Sequence, residues 1–125
     1  MKEFFFQMTL DELRKYCLSL PGVTESIKWG HDLCFTIAEK MFLVTNPDGF
    51  PVTVAFKTTD ELFDELTARK GIIPAPYMAR NKWVMVEDIS LVNSKEWKTH
   101  IDRSYQLVFE KLPVKTKNKI LQQKK

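Results

Sequence analysis

The chain has 125 residues, 44% of them hydrophobic and 28% charged, which suits one domain, since roughly 100–200 residues usually share a single core. Nine Phe, three Tyr and three Trp supply bulky side chains for that core and exclude disorder over most of the length. The net charge of +3 is unevenly placed: of 19 basic residues, Lys115, Lys117, Lys119, Lys124 and Lys125 follow Pro113 with no acid among them, leaving 14 basic against 16 acidic residues in the body. Overall charge therefore does not mark the body as nucleic-acid binding; only the segment 114–125 is basic.

The longest apolar runs, Phe4 to Phe6 and Met41 to Val44, fall far short of the ~20 residues that a membrane helix needs. The first residues carry no extended apolar stretch and no small-residue cleavage site. The expectation is one domain over residues 1–125, cytoplasmic, monomeric and without membrane contact. Cys17 and Cys34 have neither metal-ligand spacing nor a neighbouring His pair, so buried thiols are expected.

Thr9-Leu10-Asp11-Glu12 reads as a capping box that opens a helix. Leu10, Leu13, Cys17 and Leu20 share one face of it, and Pro21-Gly22 ends it. Short β-branched or aromatic runs follow, Ile27 to Trp29, Leu33 to Ala38, Lys40 to Thr45 and Val52 to Phe56, separated by turn residues such as Asn46-Pro47-Asp48-Gly49. They predict an antiparallel meander. Thr58-Thr59-Asp60-Glu61 offers a second capping box for a short helix carrying Leu62, Phe63 and Leu66 and closed by Gly71. Ile72 to Pro74, Tyr77 to Ala79 and Trp83 to Val86 then read as extended, with Pro74 and Pro76 placing the first at an edge or in a loop. A long helix from Asn93 or Ser94, with a possible third box at Asn93 to Glu96, aligns Trp97, Ile101, Tyr105, Val108 and Leu112. Pro113 separates it from a lysine-rich last helix. Strands bracketed by helices predict an α+β fold, a sheet whose one face carries the first and last helices. The expected core is Leu13, Cys17, Phe35, Ile37, Phe42, Val54, Phe56, Leu62, Trp83, Ile101, Tyr105 and Val108.

Several pieces in order resemble the MmcQ/YjbR family: Tyr16-Cys17 with Leu20-Pro21-Gly22-Val23, Trp29, Phe56-Lys57-Thr58-Thr59-Asp60-Glu61-Leu62, Asn81-Lys82-Trp83, Ser104-Tyr105 and Leu112-Pro113. The resemblance spans about Thr9 to Leu121. It implies a CyaY-like fold, a twisted antiparallel sheet packed on N- and C-terminal helices, and DNA binding through two extended wings. The chain keeps the family's Pro74, Pro76, Arg80 and Lys82. It has little positive charge elsewhere on the body, so the implied binding is weak and non-specific.

On this reading duplex or single-stranded DNA meets Lys57, Arg80, Lys82 and the C-terminal Lys115, Lys117 and Lys119, with Trp83 or Tyr77 beside the sugar-phosphate chain. Lys and Arg neutralise phosphates and release counterions, and an extended wing fits a groove. The ordinary alternatives are that Lys57 snorkels at a strand end, Trp83 belongs to the core and the basic tail is simply solvated. No helix carries an Arg/Asn/Gln-rich face that would read bases. A second reading is a protein- or ligand-binding surface around Trp29, His31, Tyr77 and Met78. Its ordinary counterpart has Trp29 packed on the sheet and His31 capping a turn.

A catalytic site is not expected. The chain offers only His31 and His100, with no HxxxH, CxxC or Gly-rich phosphate loop. The CyaY-like fold raises iron binding by acids on the first helix, but Asp11 and Glu12 are explained by capping and the helix dipole, and two adjacent carboxylates do not make a hard-cation site. No metal or cofactor is expected.

Overall fold

A computed structural model describes residues 7–122; Phe4 to Phe6, Lys124 and Lys125 lie outside the described residues. Helix α1, Leu10–Ser19, opens with both halves of the capping box: the Glu12 N–H donates to Thr9 Oγ1 (3.1 Å) and the Thr9 N–H to Glu12 Oε1 (2.9 Å). It stops before Gly22, which turns the chain at φ +78° and lies against Ile120; a Cβ there would come within 3.1 Å of Ile120 Cγ2.

Six strands follow in two runs: β1 Val23–Lys28, β2 Asp32–Ile37, β3 Lys40–Thr45 and β4 Val54–Lys57, then, after helix α2 (Asp60–Thr67), β5 Ile72–Pro74 and β6 Trp83–Val86. Every pairing is antiparallel, in the order β1-β2-β3-β4-β6-β5. Pairing slips between Phe35 and Thr36, where Phe35 opposes Leu43 and Thr36 opposes Met41, so Phe42 is an extra residue on β3. This bulge lets Phe42 and Leu43, neighbours in sequence, both bury their side chains completely. A regular strand would have sent one of them to the opposite face.

Helices α3, Ser94–Phe109, and α4, Val114–Gln122, complete the chain. Trp97, Ile101 and Tyr105 of α3 join Leu13 and Cys17 of α1, Leu66 of α2 and Ile120 of α4 in one buried cluster with Phe35, Leu43, Phe56 and Val84 of the sheet. Phe56 meets the Trp97 ring edge-on at 5.7 Å and stacks on His100 at 5.0 Å. Each such large apolar side chain contributes about 1.5–3 kcal/mol by leaving water. All four helices thus serve one face. The other face, with Cys34, Val44, Ala55, Met85 and Ile73 in successive strands, carries no helix among the described residues.

One tie between helix and sheet replaces a missing rung. Beyond the Leu43–Phe56 pair, the bulge withdraws Phe42 from the ladder, and the Ser104 hydroxyl of α3 enters the gap: it accepts from the Lys57 N–H (3.0 Å) and donates to the Phe42 carbonyl (2.6 Å). Two buried backbone groups that would otherwise be orphaned are thereby satisfied.

The structure departs from the sequence expectations at several points. β1 starts at Val23, four residues earlier than read, and stops before Trp29, whose φ is +52°. Tyr77 to Ala79 is not extended: Tyr77 has φ +64° and a 3₁₀ turn occupies Ala79–Asn81. The cap of α2 is Thr59 alone, because the residue three positions on is Leu62, which has no group to return. At α3, Asn93 accepts from the Glu96 N–H (2.8 Å), but the Glu96 carboxylate turns to Arg69 and His100 instead of closing a box. Leu62 and Val108 sit half-buried at the rim of the core, and Trp83 is buried on the opposite face, outside the main cluster. Cys17 and Cys34 are free and buried as expected.

Candidate nucleic-acid interface

Strand register defines two ends of the sheet. Ile37, Lys40, Lys57, Trp83 and Pro74 lie toward one; Lys28, Asp32, Thr45, Val54 and Val86 toward the other.

The first end gathers the expected cations. Lys57 closes β4 opposite Trp83, and its Nζ reaches across to donate to the Asn81 carbonyl at 2.7 Å. The Thr58 N–H donates to the Lys82 carbonyl at 2.9 Å, fastening the 3₁₀ turn to the strand. Lys82, itself at φ +63°, ends that turn and holds its ammonium 4.9 Å from the centre of the Phe63 ring, while Arg80 is exposed. Residues 23 to 25 positions apart in sequence thus share one surface because β4 and β6 pair. Burial, and then the positive charge of Lys111, lower the pKa of Lys57, with Asp60 acting in the opposite direction. Lys111 follows α3 and reaches this end because Ser104 and Tyr105 dock that helix there, the Tyr105 hydroxyl donating to the Pro21 carbonyl at 2.6 Å. Sequence reasoning missed Lys111, since its proximity arises only from helix docking.

Helix α4 begins three residues after Lys111 and contains no acid. Its one fully buried residue, Ile120, rests on Gly22 at the same end. Lys115 and Lys119 are exposed, and Lys117 Nζ donates to the Glu110 carbonyl at 3.2 Å. Acids stand at this end too: Glu39 between β2 and β3, Asp60 and Glu61 opening α2, and Glu110 following α3.

Trp29, His31 and Tyr77 do not form one surface. Trp29 and His31 sit in the β1–β2 turn at the second end, whereas Tyr77 projects fully exposed from the β5–β6 connection at the first. Trp29 does not pack on the sheet; it is 65% exposed, because its positive φ swings it out of the strand. The His31 ring lies 3.0 Å from Asp32 Oδ1, beside a cleft of about 280 Å³ lined also by Asn46, Asp48 and Gly49. Met78 is half-buried below Tyr77.

The remaining titratable cluster is internal. His100 Nε2 lies 2.8 Å from Glu96 Oε2, which also accepts from Arg69 Nη1 at 2.6 Å, and His100 Nδ1 is buried without a partner among the described residues. Burial lowers the His100 pKa against the opposing pull of Glu96. For Glu96, burial works upward, but hydrogen bonds from Arg69 and His100 outweigh it and hold the carboxyl below its ordinary range. Burial raises the Cys17 thiol to about 12 and also raises Cys34, so neither is a ready thiolate. No three His, Cys, Asp or Glu among the described residues are placed to hold a metal ion, and no helix among them is long and apolar enough to cross a membrane.

A family model described as YjbR matches residues 18–107. No curated protein matches the chain. Among solved structures, the fold is similar to that of a Deinococcus radiodurans protein with the family domain DUF419, at 23% identity and a TM-score of 0.82, covering 91% of this chain and 88% of that one. A Pseudomonas syringae protein is similar at 21% identity and a TM-score of 0.67, covering 80% of this chain and 98% of that one. At these identities the likeness concerns the fold.

Proposed function

The chain belongs to the YjbR family, and on that premise we propose that it is a non-enzymatic protein that binds DNA through the phosphate backbone at the Lys57 end of its sheet. The observation that carries this reading is the crowding of cations there. Lys57, Arg80 and Lys82 share one corner tied by Lys57 Nζ on the Asn81 carbonyl, Lys111 stands close enough to add to the burial that lowers the Lys57 pKa, and α4 adds Lys115, Lys117 and Lys119 without an acid. Like charges held together in a partly desolvated setting repel; a phosphate placed among them relieves that repulsion and releases its counterions. A strand end, a 3₁₀ turn and the lysine-rich α4 present these groups, and no helix carries an Arg/Asn/Gln-rich base-reading face, so the binding is sequence-independent, with a dissociation constant on the order of 10⁻⁴–10⁻⁶ M at physiological salt. In this reading the protein works as a cytoplasmic monomer without a cofactor.

The test is a fluorescence-anisotropy titration of labelled mixed-sequence DNA at low and physiological salt. Each phosphate contact adds about 0.9 to the steepness of log K against log salt on duplex DNA. The variant Lys57→Ala/Arg80→Ala/Lys82→Ala is expected to bind at least about tenfold more weakly at low salt and with a slope shallower by about 2 to 3. Absence of wild-type binding even at low salt overturns the reading.

A second reading attaches to the opposite end, where Ile27, Trp29 and Phe50 are exposed. Exposed apolar side chains on an edge strand and its turns suit contact with a protein better than contact with a polyanion.

A further inference from the structure

Tyr77 is fully exposed and has neither a hydrogen-bond nor a ring-stacking partner among the described residues. Its φ of +64° lies in the left-handed region, which a bulky aromatic residue seldom occupies. The connection thus accepts backbone strain while gaining no burial of the ring, a combination that concentrates where a side chain is displayed for use. Nor is the display loose. The Ala75 N–H donates to the Trp83 carbonyl (3.0 Å), the Trp83 N–H to Met78 (3.3 Å), the Met78 N–H to Ala75 (3.1 Å) and the Asn81 N–H to Met78 (3.1 Å). Pro74 and Pro76 stiffen the approach, and Lys57 Nζ clamps the far side through Asn81.

We propose that Tyr77 is a stacking platform for an unpaired base, and that the nucleic acid preferred at this end is single-stranded. This rests on the backbone-binding reading above. In a duplex the base faces already cover one another and the ring could touch only sugar or groove edge, whereas a single strand offers free faces to an aromatic ring while its phosphates follow the neighbouring cations. Arg80, three residues after Tyr77, and Lys82 and Lys57 behind it are placed to hold the phosphates flanking the stacked base. Trp29 and Phe50 are also exposed aromatics, but they lie at the other end of the sheet, away from Lys57, Arg80 and Lys82. The fixed turn means that little loop freedom is lost on binding.

The experiment titrates a labelled oligothymidylate, which forms no duplex, and a mixed-sequence duplex with wild type, Tyr77→Ala, Tyr77→Phe and the Lys57/Arg80/Lys82 triple alanine variant. Wild type is expected to bind the single strand more tightly than the duplex at equal salt. Tyr77→Ala should weaken single-strand binding at least about fivefold, the lower end of what one base–aromatic stack contributes, with duplex binding and salt slope unchanged. Tyr77→Phe should retain wild-type affinity, because the ring face and not the hydroxyl makes the contact. Equal affinities of wild type and Tyr77→Ala for the single strand, or an equal loss on both DNAs, overturn the stacking role while leaving backbone binding standing. No wild-type binding to either DNA at low salt overturns the backbone reading itself.

Discussion

The two ends of the sheet are built from similar chain segments and differ in how they are held. At the Lys57 end, a hydroxyl from α3 completes the strand ladder, a lysine clamps a 3₁₀ turn, and Tyr105 ties α3 to Pro21. At the Trp29 end, a short turn and the 46–53 loop close the strands, the loop held by the Thr53 N–H donating to Asn46 Oδ1 and Thr45 Oγ1 donating to the Thr53 carbonyl (2.7 Å each), with Trp29 and Phe50 pointing into solvent. The comparison separates two ways of displaying a side chain. The first end holds Lys57 where burial and then the neighbouring Lys111 lower its pKa, whereas the second displays apolar surface on turns fastened by their own short-range hydrogen bonds.

The strongest way to break this contrast is to remove the hydroxyl on which the first end depends. Ser104→Ala leaves the Lys57 N–H and the Phe42 carbonyl buried and unpaired, and is expected to cost about 2–3 kcal/mol in denaturant unfolding. Native-state hydrogen exchange should show the Lys57 amide losing protection while amides at the Trp29 end keep theirs. Uniform loss along the sheet would mean that the two ends open together.

A smaller effect is expected from the His100–Glu96–Arg69 cluster between the ends. The folded His100 has a pKa below its ordinary 6.5, so the unfolded chain takes up the proton first. Its contribution is intact above pH 6.5 and is lost as pH falls from there through the folded value. Glu96, also depressed, adds a further loss as pH falls below its ordinary 4.5. Unfolding midpoints measured on either side of pH 6.5 should differ in wild type and converge in His100→Gln; an unchanged slope would remove His100 as the cause. The smallest effect belongs to the Trp29 end. Trp29→Ala/Phe50→Ala should alter stability by no more than about 0.5 kcal/mol and leave DNA affinity at its wild-type value, and a loss of affinity there would move the interface.

Local chemistry made most of this fold legible. The Thr9 box, the apolar stripe of α3 and the turn residues after Thr45 each act within a few residues of chain. Thr24-Glu25-Ser26 escaped because β1 is an edge strand whose exposed side chains suppress the apolar alternation that marks a strand. Tyr77 read as extended because an aromatic preceded by two prolines resembles an edge strand; nothing in the residue itself announces a positive φ. In the candidate site, Lys57, Arg80 and Lys82 were found together by resemblance and joined by β4–β6 pairing. Grouping Tyr77 with Trp29 failed for a topological reason, since the β1–β2 turn and the β5–β6 connection leave the sheet at opposite ends.

The seat of Ile120 on Gly22 carries one more consequence. Helix α4 has one buried side chain, Ile120, which joins the edge of the core cluster over Gly22 and acts as its latch. Releasing that isoleucine would cost roughly 1.5–3 kcal/mol of lost burial, and local opening at that seat would free the α4 lysines as a tethered arm without unpairing the sheet. Seated, they extend a fixed cationic surface; released, they search the volume within reach of Pro113 and present the same charge to a polyanion at a local concentration set by the length of the tether.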